Sequence, residues 1–124
     1  MRYTLLLHYP EMSPEELGPE ALEQGQAEFR AFAAALHDAG VLLSGEVLQP
    51  STASTTVSAA SGELRVQAGP YADTVEQLGG TFVIDVPDLD AALAWAERAP
   101  SVAWGTVEVR PSATHVVDGV WVPA

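Results

Sequence analysis

The chain has 124 residues, 48% of them hydrophobic, which suits a single domain with one core. It contains no cysteine, so disulfides, thiolate zinc sites, iron–sulfur clusters and a cysteine nucleophile are excluded. The formal net charge is -12. We therefore expect no binding to nucleic acid or to a membrane surface, because both require a basic protein face.

No stretch of the chain reaches the ~20 apolar residues of a membrane span, and no signal peptide is recognisable at its start. We therefore expect a soluble protein of the cytoplasm. Three histidines without short spacing do not indicate a metal site. No glycine loop followed by lysine indicates phosphate binding. We expect neither a metal nor a cofactor.

The first half of the chain begins with a strand and a helix. Arg2–Tyr9 is rich in aliphatic and aromatic residues and precedes Pro10, which predicts a buried strand. Ser13–Glu16 combines a capping serine, a proline and a glutamate, which is typical of a helix start. Gly18–Glu20 repeats that signal, so we expect one short turn and then a long helix that ends near Gly40.

The middle of the chain predicts a second strand and an inserted hairpin. Val41–Leu48 is the strand, and the β-prone runs Thr52–Ala60 and Glu63–Ala68 flank a short glycine turn. A single helical turn is expected at Asp73–Leu78. The pair Gly79–Gly80 predicts a loop.

The last third predicts a second strand–helix–strand unit. Thr81–Val86 is the strand, Asp88 is the expected N-cap of a helix, and Pro100 ends that helix. Val102–Arg110 alternates apolar and polar residues and predicts the last strand of the domain. Asp118–Gly119 lies between valines and predicts a hairpin turn in the tail.

This order predicts an α+β fold of the ferredoxin-like type, βαββαβ, with an inserted β-hairpin. Two helices cover only one face of such a sheet. The other face carries both apolar and polar side chains, so we expect a homodimer that encloses the polar ones in a cavity. The alternative is a monomer with a half-wetted sheet. The residues expected on this open face are Thr4, Leu6, His8, Thr81, Val83, Asp85, Trp104, Thr106, Glu108 and Arg110.

Four segments carry a family resemblance: Gly45–Pro50, Ala68–Gly80, Asp85–Asp90 and Val107–Pro111. Together they resemble the signatures of YCII-related proteins of the DGPF type. The resemblance covers roughly residues 1–111 and leaves 112–124 as a C-terminal β extension. It implies a dimeric α+β barrel built from ferredoxin-like protomers, and it implies no settled activity.

The chain also departs from the family pattern. The motif DGPF begins with aspartate and ends with phenylalanine. In this chain Ala68 occupies the first position of the motif and Tyr71 the last. In the YciI-type branch a helix histidine and a following aspartate are proposed as an acid–base pair. Asp38 matches that aspartate, but Phe29 falls at the position of the histidine. Because phenylalanine transfers no proton, that pair cannot operate here.

Two residues are candidates for proton transfer. Histidine is the usual acid or base of proteins, and His8 lies on the expected cavity face, where Asp85 or Glu108 would orient it. Glu46, on the second strand, is a candidate general base or the ion-pair partner of Arg110. The structural alternative for His8 is an ordinary hydrogen-bonded histidine. A metal site built from His8, Glu46 and Asp85 is a weaker alternative.

The remaining candidates would bind a ligand. Arg110 suits a carboxylate group, unless it pairs with Glu46 or Glu108. Gln77 either contacts the ligand or caps its own loop, and Trp104 is either a stacking wall or part of a dimer core. The full set of expected ligand-binding residues is Gln49, Tyr71, Glu76, Gln77, Asp85, Trp104, Glu108 and Arg110.

The residue patterns and the family resemblance together leave two functions open. The first is a small-molecule-binding protein, either without catalysis or with a cofactor-independent acid–base reaction in the cavity. The alternative is a non-catalytic interaction module linked to an extracytoplasmic-function sigma factor, whose gene neighbours that of some relatives. In that case the acidic first helix region would dock a basic partner, whereas its ordinary interpretation is a solvated face. Its glutamates are Glu15, Glu16, Glu20, Glu23 and Glu28.

Overall fold

The computed structural model describes residues 1–124. The elements are β1 (Arg2–Tyr9), α1 (Pro14–Leu17), α2 (Pro19–Asp38), β2 (Leu42–Val47), β3 (Thr55–Ser58), β4 (Arg65–Ala68), β5 (Gln77–Asp85), α3 (Leu89–Ala96), β6 (Thr106–Pro111), β7 (Thr114–Val117) and β8 (Val120–Pro123). Short 3-10 turns occupy Ser51–Ala53 and Pro100–Ala103. None of the three helices has both the length and the apolar character that crossing a membrane requires.

The central sheet has four antiparallel strands in the order β2-β5-β1-β6. The pairs β3–β4 and β7–β8 form two separate hairpins. A mixed α+β fold with an antiparallel sheet was expected, and this is confirmed; the strand order is consistent with the ferredoxin-like arrangement. The dimeric barrel stays a prediction.

Local signals place the helix starts where the sequence predicts them. The Ser13 hydroxyl accepts a hydrogen bond from the Glu16 amide at 3.1 Å, and the Glu16 carboxylate accepts one from the Ser13 amide at 3.3 Å. This reciprocal capping box satisfies two amides that the first turn leaves unpaired. Asp88 caps α3 through the Ala91 amide at 2.9 Å. Both predicted caps are confirmed.

The core lies between the helices and one face of the sheet. Leu5, Leu7 and Ile84 are fully buried there, and the rings of Phe32 and Phe82 meet edge to face at 5.2 Å. Removing each such aliphatic side chain from water stabilises the fold by about 1.5–3 kcal/mol. The alternation of β1 and β5 leaves the opposite face without a helix layer. Its partly exposed residues include Thr4, Leu6, His8, Thr81 and Val83.

The region before β5 differs from the prediction. Neither the helical turn at Asp73–Leu78 nor the loop at Gly79–Gly80 forms; β5 begins at Gln77 and runs through both glycines. The reason is close packing. A Cβ on Gly79 would overlap the Tyr9 ring, and one on Gly80 would lie 2.7 Å from the Glu46 carbonyl oxygen. Glycine in this strand therefore permits the close approach of its neighbours.

The last strand of the domain is shorter than predicted. The expected start at Val102 is wrong, because Pro100–Ala103 forms a 3-10 turn and β6 begins at Thr106. Trp104 follows that turn and packs edge to face on Tyr9, with ring centroids 4.9 Å apart. It therefore lies outside the strand and away from the open face. The tail hairpin forms as predicted, with positive φ at Asp118 (49°) and Gly119 (78°).

Candidate functional site

A cavity of about 730 Å³ lies beside the sheet, where β1 and β5 meet the inserted hairpin. Its walls come from the end of β1, the segment after β2, the base of the β3–β4 hairpin and the loop before β5. Pockets of this size are typical of sites for small organic molecules. Five of the predicted site residues line it: His8, Gln49, Tyr71, Glu76 and Gln77.

The loop before β5 is held by its own hydrogen bonds. The Gln77 side-chain amide donates to the carbonyl oxygens of Ala72 at 2.8 Å and Thr74 at 3.2 Å. The Thr74 hydroxyl donates to the Glu76 carbonyl at 2.6 Å. Both N–H donors of the Gln77 amide are thus engaged, so its role here is to cap the loop. Tyr71, at the rim of the cavity, is 97% exposed.

Two hydrogen bonds hold the opposite wall of the cavity, one to the segment after β1 and one to β5. The Ser51 amide donates to the Glu11 carboxylate at 2.7 Å, and the Leu48 amide donates to the Gly79 carbonyl at 2.8 Å. Ser51, Ser54 and Thr56 also line the cavity, although none of them was among the predicted site residues. The inserted hairpin is the sequence feature that predicts their position. The chain must return from the base of the hairpin to β5, which pairs with the end of β1, so residues at that base lie near the end of β1.

A chain of three polar side chains lies on the open face, and one of them, His8, lines this cavity. His8 Nε2 is 3.2 Å from Glu108 Oε1, and the Arg110 guanidinium donates a hydrogen bond to Glu108 Oε2. Glu108 and Arg110 are two residues apart on β6, so they share a face. Leu6 is the direct partner of Glu108 on β1. His8 is two residues further along β1 on the same face, so its side chain can contact the Glu108 carboxylate. The His8 side chain is 30% exposed.

The charges of this group follow from its hydrogen bonds. The bond from Arg110, and then the bond from His8, lower the pKa of Glu108 below its ordinary value of 4.5. Glu108 therefore remains an anion near neutral pH and accepts from His8 Nε2. No protein atom hydrogen-bonds to His8 Nδ1, so this nitrogen can accept a proton when Nε2 carries one. An imidazole oriented by a carboxylate is a common form of general base.

The predicted acidic residues Glu46 and Asp85 both lie apart from His8. Glu46, Thr81, Leu6 and Glu108 are successive partners across the four strands, so Glu46 and Glu108 are separated by three strand spacings, about 14 Å. The anticipated ion pair between Glu46 and Arg110 does not form within the chain.

Asp85 lies at the far end of β5, where its carboxylate binds the amino group of Met1 at 2.9 Å. This hydrogen bond, more than any other contact, lowers the pKa of Asp85. Asp85 therefore does not orient His8, and the alternative metal site of His8, Glu46 and Asp85 is not assembled. The structure contains no group of three or more potential metal-ligating side chains.

Trp104 is also separate from the His8 cavity. Its ring lies on the helix side of the sheet, 4.9 Å from the centroid of Tyr9 and 6.5 Å from that of Phe29. Trp104 therefore does not form the stacking wall that was expected on the open face. Alternation explains the split, because successive residues of β1 point to opposite faces: His8 points to the open face and Tyr9 to the helix layer.

Comparisons with known proteins identify relatives of the chain. The family model described as YCII-related domain matches residues 1–113. An uncharacterized protein of Rhizobium meliloti (strain 1021) is 33% identical over 117 residues, which cover 93% of this chain and 94% of the relative. Neither description states an activity, so the function must be argued from the site.

Proposed function

The chain belongs to the family of YCII-related domain proteins, and from this premise we propose that it binds a small organic molecule in the His8 cavity and catalyses a cofactor-independent proton transfer there. One observation carries the proposal: an imidazole that lines a cavity of about 730 Å³ is held by an ionised carboxylate. Perturbed or oriented titratable groups in a cleft are typical of functional sites.

The three side chains have distinct roles in this proposal. His8 Nδ1 accepts a proton from the ligand and later returns it. Glu108 keeps the other ring nitrogen protonated and stabilises the imidazolium that forms. Arg110 contacts no ligand; it keeps Glu108 ionised and is therefore a positioning residue. A positioned general base of this kind accelerates a reaction by about 10²–10⁴-fold.

The lining of the cavity favours a neutral polar ligand. Three hydroxyl-bearing residues, Ser51, Ser54 and Thr56, line it together with Gln49 and Glu76. No arginine lines the cavity, and the guanidinium of Arg110 is engaged by Glu108. These contacts argue against the anionic ligand anticipated for Arg110 and favour one with hydroxyl or carbonyl groups and an acidic C–H or O–H.

The open face supports the further proposal of a homodimer. Leu6 and Val83 lie in its centre and are only partly buried, and none of the three helices covers them. Packing this face against a second copy would remove apolar surface from water and enclose the mouth of the His8 cavity.

The proposed binding is tested with a thermal-shift screen of small hydroxy and carbonyl compounds. We expect hits that bind about tenfold more weakly to His8→Ala, since a hydrogen bond to the imidazole is lost. His37→Ala is the matched control, because His37 is exposed at the end of α2 and does not line the cavity. Hits that bind His8→Ala and wild type equally would place the ligand elsewhere.

The proposed proton transfer has its own measurement. In D2O, NMR spectra of a bound hit should show deuterium entering its acidic C–H position with wild type, at a rate at least tenfold lower with His8→Asn. Exchange that is independent of His8 would reject the catalytic role while leaving the binding role in place.

The interaction-module alternative has weaker support. The glutamates of α1 and α2 are exposed, as docking to a basic partner would require, but exposure is equally expected of a solvated helix face. No contact within the structure favours a sigma factor over any other basic protein.

A further inference from the structure

A second cavity, of about 610 Å³, lies on the helix side of the sheet. It is bounded by α1, α2, the end of β1 and the 3-10 turn Pro100–Ala103. No residue lines both this cavity and the His8 cavity. A function of this second cavity would therefore be independent of the proton transfer proposed above.

Three aromatic rings form its inner wall. Trp104 meets Tyr9 at an interplanar angle of 67° and Phe29 at 74°, so the rings form the sides of a corner rather than a stack. Trp104 is 47% exposed, which leaves part of its surface for a ligand. Burial, and then the charge of Glu11, raise the pKa of Tyr9, so its phenol stays neutral near pH 7. Met12 and Leu17 extend the apolar lining.

One charged side chain lines this cavity, and it is acidic. Glu28 projects from α2, and the Gln24 amide one turn earlier donates a hydrogen bond to Glu28 Oε1 at 3.0 Å. This bond orients the carboxylate and leaves Oε2 for a further partner. Arg98 lines a neighbouring cavity together with Glu28. Its guanidinium stacks on the Trp95 ring, 4.4 Å from the centroid, and forms no ion pair with Glu28.

We propose that this cavity, lined by Tyr9, Phe29, Trp104 and Glu28, is a binding site for an apolar organic cation, such as an aryl or alkyl ammonium compound. The π-faces of aromatic rings attract cations, and Trp does so most strongly. The Glu28 carboxylate supplies the counter-charge at the rim, and the net charge of -12 draws cations towards the protein. The volume falls in the range of small-molecule sites.

The test uses benzyltrimethylammonium as the cationic probe and benzyl alcohol as an uncharged one, both titrated into the protein by calorimetry. We expect the cation to bind and the alcohol to bind at least tenfold more weakly. Raising the salt concentration should weaken binding of the cation alone, because the electrostatic part of its affinity is screened. Equal affinity for the two probes would overturn the proposal.

Two variants locate the site. Trp104→Leu removes an aromatic face and Glu28→Gln removes the counter-charge; each should weaken binding of the cation about tenfold. Glu23→Gln is the matched control, since Glu23 is exposed on the same helix outside the cavity. Glu28 is itself exposed, so Glu28→Gln should fold even if Trp104→Leu does not. Unchanged affinity in Glu28→Gln would overturn the proposal.

A third variant separates this site from the one proposed above. His8→Ala should bind benzyltrimethylammonium as wild type does, whatever the outcome of the screen at the His8 cavity. Competition of the cation with the hits of that screen would place both ligands in one site and overturn the proposal of a second.

Discussion

Glu108 connects two basic residues of the open face. One of its oxygens accepts from His8 and the other from Arg110, so the same carboxylate orients the imidazole and neutralises the guanidinium. Because both bonds require the ionised form, they lower the pKa of Glu108. A lowered pKa in the folded state means that the folded protein resists protonation at this residue.

The pH dependence of stability tests this pKa. The contribution of Glu108 is present above its ordinary pKa of 4.5 and is lost as the pH falls through the lower value of the folded state. Glu108→Gln lacks this contribution at every pH. In urea unfolding measured from pH 6 downwards, its free energy of unfolding should therefore fall less steeply below pH 4.5 than that of wild type.

The control for that measurement is Glu63→Gln. Glu63 is exposed at the turn of the inserted hairpin and forms no ion pair. This variant should follow the wild-type pH profile. If Glu108→Gln does the same, the hydrogen bonds of Glu108 contribute nothing to folding.

At the scale of elements, β5 organises both the core and the cavity. It pairs with β1 on one side and β2 on the other, and its first residue, Gln77, caps the loop that lines the His8 cavity. The register of β1 against β5 shifts between Leu7 and His8. Gly79 of β5 is the residue left without a partner, so this bulge bends β5 opposite the candidate base, and bulges are common beside functional sites.

Gly80→Ala should destabilise the protein by about 1–3 kcal/mol, a typical cost of forcing extra volume into packed structure. The added Cβ would lie 2.7 Å from the Glu46 carbonyl oxygen, so β2 and β5 would have to separate. Gly25→Ala is the matched control: it lies in α2 with no atom near the added Cβ. There alanine should stabilise by up to about 1 kcal/mol. Urea unfolding measures both changes, and equal effects would contradict the close packing of β5.

At the scale of the whole molecule, the sheet has one face covered by helices and one uncovered. Leu6 and Val83 lie on the uncovered face in β1 and β5, the two central strands, where no helix of the same chain excludes water. The proposed homodimer resolves this imbalance. Each chain carries a charge of -12, so the two chains of a dimer repel each other. The apolar contacts of the interface must therefore be extensive enough to outweigh this repulsion.

Sedimentation at micromolar concentration should give twice the mass of one chain. Val83→Asp should give the mass of a single folded chain, because it places an unpaired charge in the proposed interface. Ala94→Glu is the control, since Ala94 is exposed on α3 on the other side of the molecule; it should remain dimeric. Wild-type protein that sediments as one chain would reject the interface.

The sequence by itself determined those features whose signals are local. The capping box at Ser13, the N-cap at Asp88 and the turn at Asp118–Gly119 each depend on atoms only a few residues apart. The alternation of β1 likewise predicts that Leu5 and Leu7 face the core and His8 the open side.

Only the tertiary structure decided which distant side chains meet. Gly79–Gly80 became strand because Tyr9 and β2 approach it closely, a contact that its neighbours along the chain do not encode. His8 meets Glu108 rather than Asp85, and Trp104 turns to Tyr9 on the helix side. Strand register and the 3-10 turn before β6 determine these pairings, because the distance between two side chains depends on how whole strands align.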